Sequence, residues 1–233
     1  MKIGILGTGM VGQTIGERLS ELGYDIMIGT RDVTKTMAQT EPTQMGFPPY
    51  SAWQKNHPKV HLASFADAAA FGEILFNCTS GMASLDMLKQ TGEKNLGNKI
   101  LVDVANPLDF SKGMPPTLSV SNTNSLGEQI QRAFPKLRVV KSLNTMNCYV
   151  MVNPSLVPGD HGVFVNGNDE GAKTTVKKLL QSFGWKEKHI IDLGDITASR
   201  GTEQILPLWV RLMGTLRHPM FNFNVVVGTP PTK

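Results

Sequence analysis

Residues 7–12 read Gly7-Thr8-Gly9-Met10-Val11-Gly12, and their glycine spacing is suited to holding a phosphate. An apolar, β-prone run at 2–6 precedes them, and Val11, Ile15, Leu19 and Leu22 follow at helical spacing. A strand, a glycine turn and a helix in that order form the GxGxxG unit of dinucleotide-binding proteins. In such a unit Gly7 permits the tight turn, Gly9 lets a pyrophosphate approach the backbone, and Gly12 lets the helix pack against the strand. The helix N-terminus then offers unpaired N–H groups and the positive end of its dipole to the phosphates. The same glycines also fit a packing turn that holds nothing.

A second chemical position lies at the end of the next strand. There an NAD-binding chain carries a carboxylate for the ribose 2′-hydroxyl. This sequence has Thr30-Arg31, with Lys35 one turn later. A hydroxyl, a guanidinium fork and an ammonium match a 2′-phosphate, which a carboxylate would repel. NADP(H) is therefore expected over NAD(H). Asp32 is the competing residue: as a ribose ligand it would favour NAD, whereas after Arg31 it suits an outward-facing or helix-capping role.

In open parallel sheets ligands lie beyond the C-terminal ends of the strands. The matching tails here are Thr79-Ser80-Gly81, Asn106-Pro107-Leu108 and Asn144-Thr145-Met146. Their hydroxyls and amides could border a nicotinamide, or could bond their own backbone as turn residues. None of the three tails carries a histidine, tyrosine or lysine as an acid. Ketone or imine reduction usually uses a positioned proton donor, whereas hydride delivery to a flavin-like ring depends chiefly on alignment. Cys78 and Cys148 show no metal or disulfide spacing and read as free thiols in a reducing cytoplasm. His57, His61, His161, His189 and His218 show no i,i+3 or i,i+4 pairing and read as surface or loop histidines, so no metal is expected.

The elements that must position these residues follow from hydrophobic pattern. Eight apolar, β-branched runs are expected as strands, at 2–6, 25–29, 60–63, 73–78, 99–105, 138–144, 162–166 and 189–193. Helical patterns between them indicate βαβ units and an α/β fold: a Rossmann-type, doubly wound, mostly parallel sheet with extra C-terminal strands and a terminal helix. Gly23 stops the first helix. Ser125 with Glu128 forms a capping-box pattern ahead of Ile130 and Phe134, and Pro135 ends that helix. Asn168 or Asp169 caps the next, whose buried stripe is Val176, Leu179, Leu180 and Phe183. The last helix begins near Thr197 or Ser199, with Leu206, Trp209, Val210 and Met213 apolar. The proline-rich stretch 41–58 reads as an inserted loop, 153–159 as a breaker cluster and 228–233 as a frayed tail.

The 233 residues, 40% hydrophobic and 18% charged, suit one domain with an appendage: residues 1–195 as an extended NADP-binding domain and 196–233 as a helix and tail completing the substrate cleft. No run approaches the roughly 18 apolar residues of a membrane span, and no secretory leader is read at the N-terminus. A formal net charge of +4 is mild, and the lysines of 173–188 read as a solvated helix face and the turn after it. Nucleic acid is not an expected partner.

Seven segments together resemble the NADPH-dependent reductase family named for coenzyme F420, a deazaflavin, and especially its bacterial members. They are residues 3–12, Ile28-Gly29-Thr30-Arg31-Asp32, Phe65-Ala66-Asp67-Ala68-Ala69, Asn77-Cys78-Thr79-Ser80-Gly81, Asp103-Val104-Ala105-Asn106-Pro107-Leu108, Val139-Val140-Lys141-Ser142-Leu143-Asn144-Thr145, and Ser199-Arg200 with Glu203. The resemblance implies that Thr8, Met10 and Val11 lie along the NADP phosphates and that Thr30, Arg31 and Lys35 hold the 2′-phosphate. It also implies that Ser80 and Asn106 approach the nicotinamide, that Arg200 faces the cleft, and that the chain is a homodimer exchanging hydride with a deazaflavin. Archaeal members tend to carry histidine where this chain has Asn144, and small hydroxyl residues where it has Gln204 and Leu206. The small-molecule acceptor thus stays open between coenzyme F420, a flavin and a ferric chelate. Hydroxyacid dehydrogenases and imine reductases share the N-terminal fold but append a helical domain on the order of a hundred residues, against which 196–233 is short. The remaining alternative is a non-catalytic NADP(H)-binding redox sensor.

Overall fold

Alternation along the strands decides the layering. Ile3 and Ile5 join one buried apolar cluster while Leu6 joins another, and Val140 and Val139 divide the same way. Both faces of the sheet must therefore be covered, as a parallel sheet requires. The computed structural model describes residues 1–42 and 46–231. Thr43, Gln44 and Met45 of the expected inserted loop, and Thr232 and Lys233 of the expected tail, lie outside the described residues.

In chain order the strands are β1 (Lys2–Leu6), β2 (Asp25–Thr30), β3 (His61–Ser64), β4 (Ile74–Asn77), β5 (Ile100–Asp103), β6 (Leu108–Asp109), β7 (Thr117–Leu118), β8 (Arg138–Ser142), β9 (Val163–Gly167) and β10 (Ile190–Asp192). The helices are α1 (Met10–Glu21), α2 (Val33–Ala38), α3 (Tyr50–Asn56), α4 (Phe65–Phe71), α5 (Gly81–Thr91), α6 (Glu93–Leu96), α7 (Leu126–Ala133), α8 (Cys148–Val152), α9 (Glu170–Ser182) and α10 (Ser199–Leu216). Eight strands form one sheet in the order β10-β9-β8-β5-β4-β1-β2-β3. The six from β8 to β3 are parallel; β9 pairs antiparallel to β8, and β10 runs parallel to β9. The chain leaves β1 toward β2 and β3, then returns to place β4 on the other side of β1. That reversal is the topological switch point where such sheets bind ligands.

All eight expected strands are in the sheet. Asp169 caps α9, and Val176, Leu179, Leu180 and Phe183 are buried as the periodicity requires. Ser125 caps α7, its Oγ accepting from Glu128 N at 3.1 Å and donating to Glu128 Oε2 at 2.8 Å.

Four expectations are corrected. The stretch 41–58 is not all loop: α3 forms within it because Pro49 needs no donor at the helix entry and Pro58 lies beyond its end. The strand expected at 138–144 ends at Ser142, because buried Leu143 adopts φ +66° and turns the chain out of the sheet. Lys173 is not solvated. It is 2% exposed, with its ammonium 2.8 Å from Glu170 Oε1 and 3.0 Å from Asp192 Oδ1. His161 is buried rather than superficial, its Nε2 facing the carbonyls of Pro154 and Val157. The β6–β7 hairpin and α8 had no counterpart in the sequence reading.

Candidate functional site

The glycine turn joins β1 to α1 at the switch point. Two of its glycines answer to the protein's own packing. Gly7 has φ +128° and a Cβ there would lie 2.7 Å from the Cys78 carbonyl oxygen, while one at Gly12 would lie 2.1 Å from the Gly7 carbonyl oxygen. Gly9 is different. Its φ of −72° suits any residue, and a Cβ there would meet nothing within 4 Å. The fold itself does not demand glycine at that position, so the space above Gly9 is what an approaching phosphate would use. The helix end beside it is uncapped: Gly9 supplies no side chain to α1, whose dipole points its positive end into that space. These residues fit a bound pyrophosphate.

At the end of β2, Thr30 is buried and its hydroxyl lies 2.8 Å from that of Thr36, which itself donates to Asp32 O at 2.7 Å. Either hydroxyl of that pair can donate, so the Thr30 proton is free to turn outward when Thr36 donates to it. Arg31 and Lys35 are exposed, and neither has an ion-pair partner among the described residues. Asp32 caps α2 by accepting from Lys35 N at 2.8 Å, the helix-capping alternative. Two free cations beside a buried hydroxyl make an anion-accepting edge.

The three tails converge next to the turn. Asn106 Nδ2 donates to Asn144 O at 2.8 Å, and Asn144 Nδ2 donates to Asn106 Oδ1 at 2.9 Å and to Thr202 O on α10 at 3.2 Å. The two amides thus lock the β5 and β8 tails together and tie both to the last helix. Thr79 Oγ1 donates to Asn77 Oδ1 at 2.7 Å, a local turn bond, while Ser80 begins α5 without its hydroxyl capping it. Pro107 is followed directly by the β6–β7 hairpin, with its carbonyl accepting from Ser119 N. Thr145 is 1% exposed behind Asn144. Arg200 is held by Glu128: its Nε and Nη2 lie 2.9 Å and 2.5 Å from the two carboxylate oxygens. That pairing keeps the Glu128 carboxyl below its usual range, the Arg200 hydrogen bond outweighing the opposite effect of burial.

Beneath the tails runs a polar row that the sequence reading assigned no role. Asn77, Asp103 and Lys141 are register partners on β4, β5 and β8. Lys141 is fully buried; its ammonium lies 2.8 Å from Asp103 Oδ2, 2.8 Å from Glu203 Oε1 on α10 and 2.5 Å from Ala105 O. Glu203 also accepts the N–H groups of Leu126 and Gly127 at 2.8 and 3.0 Å, the first turn of α7. Asp103 Oδ1 accepts from Asn77 Nδ2 and Ala105 N. Burial would lower the Lys141 pKa, but the two carboxylates more than offset it and hold the ammonium above its ordinary value. The sequence carries only part of the signal: a lysine and an aspartate interrupt apolar runs in two expected strands, which shows that each needs a partner if buried but not which one. Burial also pushes the Cys78 and Cys148 thiols up, which makes poor nucleophiles of both free cysteines.

The profile of the family described as NADP oxidoreductase, coenzyme F420-dependent, matches residues 2–107. Among solved structures, the chain is similar to a protein from Arthrobacter sp. FB24 provisionally assigned as an F420-dependent NADP reductase. Identity is 54% over 97% of this chain and 100% of that one, with a TM-score of 0.93. Metalloreductase STEAP3 of Rattus norvegicus is 26% identical over 213 residues, 89% of this chain and 38% of that protein, so the chain spans well under half of that relative's length. A reductive aminase from Aspergillus terreus, solved with NADPH4, cyclohexanone and allyl amine, is 17% identical over 93% of this chain and 64% of that one. Its TM-score is 0.61, a likeness of fold alone. Among the described residues no helix is long and apolar enough to cross a membrane.

Proposed function

The chain belongs to the coenzyme F420-dependent NADP oxidoreductase family, and from that premise we propose that it moves a hydride between NADP(H) and a deazaflavin (coenzyme F420) or flavin-like acceptor. When bound, the nicotinamide supplies or takes up that hydride. The chain's part is to bind and align. Gly7, Gly9 and Gly12 shape the turn, Thr8, Met10 and Val11 line the phosphates, and Thr30, Arg31 and Lys35 receive the 2′-phosphate. Thr79, Ser80, Asn106 and Pro107 border the nicotinamide, while Asn144, Thr145 and Arg200 lie toward the acceptor, in a cleft completed by residues 196–233. The free thiols and the exposed Leu208 and Leu216 of α10 support a cytoplasmic homodimer.

The choice of acceptor rests on one observation. The lysine nearest the tails has all three ammonium protons engaged, by Asp103, Glu203 and Ala105 O, and the two tail amides donate to each other's residues. A substrate whose reduction needs a proton from the protein finds no acid in either, because the ammonium is fully engaged and an amide N–H hydrogen-bonds without giving up its proton, whereas a ring acceptor needs only to be stacked and aligned. A second reading, an NADPH-dependent flavin or ferric reductase, is supported by the likeness to the rat metalloreductase along 89% of this chain.

The test is stopped-flow oxidation of NADPH, followed by its absorbance, against a deazaflavin, FMN, FAD and ferric chelates. Turnover with the ring acceptors is expected. Turnover with ferric chelates alone would favour the second reading, and none with any of the four would leave an NADP(H)-binding sensor.

A further inference from the structure

The cluster of Lys141, Asp103 and Glu203 carries a charge that packing alone does not call for. Every partner of the Asp103 carboxyl is a donor: Asn77 Nδ2, Ala105 N and the Lys141 ammonium. The same holds for Glu203, which meets Leu126 N, Gly127 N and Lys141. A protonated carboxyl would bring an O–H to an array with no acceptor for it, so both groups are carboxylates. Lys141 likewise faces three acceptors and is an ammonium. One cation between two anions leaves a net charge of −1, with the Asp103, Lys141 and Glu203 side chains each at most 2% exposed. The first turn of α7 offsets it only in part.

The position of that charge matters. Ala105, whose carbonyl takes one Lys141 proton, is joined directly to Asn106, and Asn77 takes the hydroxyl proton of Thr79. Glu203 follows Thr202, whose carbonyl receives Asn144. The cluster is thus within one or two residues of all three tails, shielded from water and unable to reorient. We propose that it is an electrostatic positioning device, a fixed negative charge beneath the nicotinamide end of the cleft that favours the cationic oxidised ring over the neutral reduced one. Asp103, Lys141 and Glu203 are positioning residues that act through the tails. The inference rests on the reading of this cleft as a dinucleotide site.

The experiment measures the dissociation constants of NADP+ and NADPH by calorimetry and fluorescence, for the wild type, Glu203→Gln, Asp103→Asn and Lys141→Met. Removing one negative charge is expected to weaken NADP+ relative to NADPH by about three- to tenfold, the effect of a unit charge at roughly 10 Å in a partly solvated site. Lys141→Met removes the cation and takes away no negative charge, so it should not weaken NADP+ relative to NADPH. A folded charge variant with an unchanged ratio, or a Lys141→Met ratio that shifts like the other two, overturns the inference. If neither charge variant folds, the unaltered protein decides: NADP+ should bind at least as tightly as NADPH, and a tenfold preference for the reduced form overturns it. A wild type that binds neither dinucleotide sinks the cofactor reading, and this inference with it.

Discussion

Three glycines that look equivalent in the motif differ in what they oppose. A methyl at Gly12 would meet a backbone oxygen at 2.1 Å, and one at Gly9 would meet no protein atom within 4 Å. Gly12→Ala is therefore expected to destabilise the fold by more than about 3 kcal/mol, and Gly9→Ala by less than about 0.5 kcal/mol. Binding should order them otherwise: Gly9→Ala melts like the wild type yet loses NADPH by tenfold or more in a titration. Retained binding in Gly9→Ala would remove the pyrophosphate from that space. Arg31 offers a comparable test at the other end of the site. Its unpaired guanidinium predicts that Arg31→Ala weakens NADPH by about 1.5 to 3 kcal/mol, the scale of charged hydrogen bonds, while NADH is nearly untouched. Equal losses for both would count against a 2′-phosphate contact.

At the level of elements, α7 and α10 are joined by charge at two points, Glu203 on the first turn of α7 and the Arg200 fork on Glu128. Ser125 completes only half of a capping box, because the Glu128 carboxylate turns to Arg200 and to the Ser125 hydroxyl. Glu128 is the group whose titration should be felt. Its folded pKa is depressed, chiefly by Arg200, so its contribution is complete above the unfolded glutamate value of about 4.3 and is lost as pH falls through the lower folded value. Urea denaturation should show the wild type more stable than Glu128→Gln at pH 7, and the gap should close as pH drops below about 4. A gap of the same size at pH 7 and pH 3 would show that the Arg200 pairing does not stabilise the fold.

For the whole molecule the open question is what covers α10. Leu206 is buried, but Trp209, Val210 and Met213 are only partly so, and Leu208 and Leu216, eight residues apart on one helix face, stand exposed with Val225, Val226 and Val227 beyond them. An apolar stripe left open on a terminal helix is the kind of surface a second copy buries. Sedimentation velocity is expected to give a dimer for the wild type and a monomer for Leu208→Glu, with the monomer keeping its fold. A monomeric wild type at high micromolar concentration would leave the stripe unexplained.

Local pattern settled much of this protein. The eight strands were legible because apolar and β-branched runs between helical patterns admit few other readings, and the turn was legible because glycine spacing is a backbone requirement. So was the cationic edge at Arg31 and Lys35, since no other part of the chain was needed to supply its charge. The position of α3 was hidden by its prolines, and the early end of β8 by the left-handed Leu143. The Lys141 cluster was beyond reach for a different reason. Its members come from residues 103, 141 and 203, and only the strand order and the descent of α10 onto the tails bring both carboxylates within 3 Å of the Lys141 ammonium. Sequence spacing reports neighbours along one element; a buried charge is stabilised by partners from several, so its place and sign were decided by the tertiary fold.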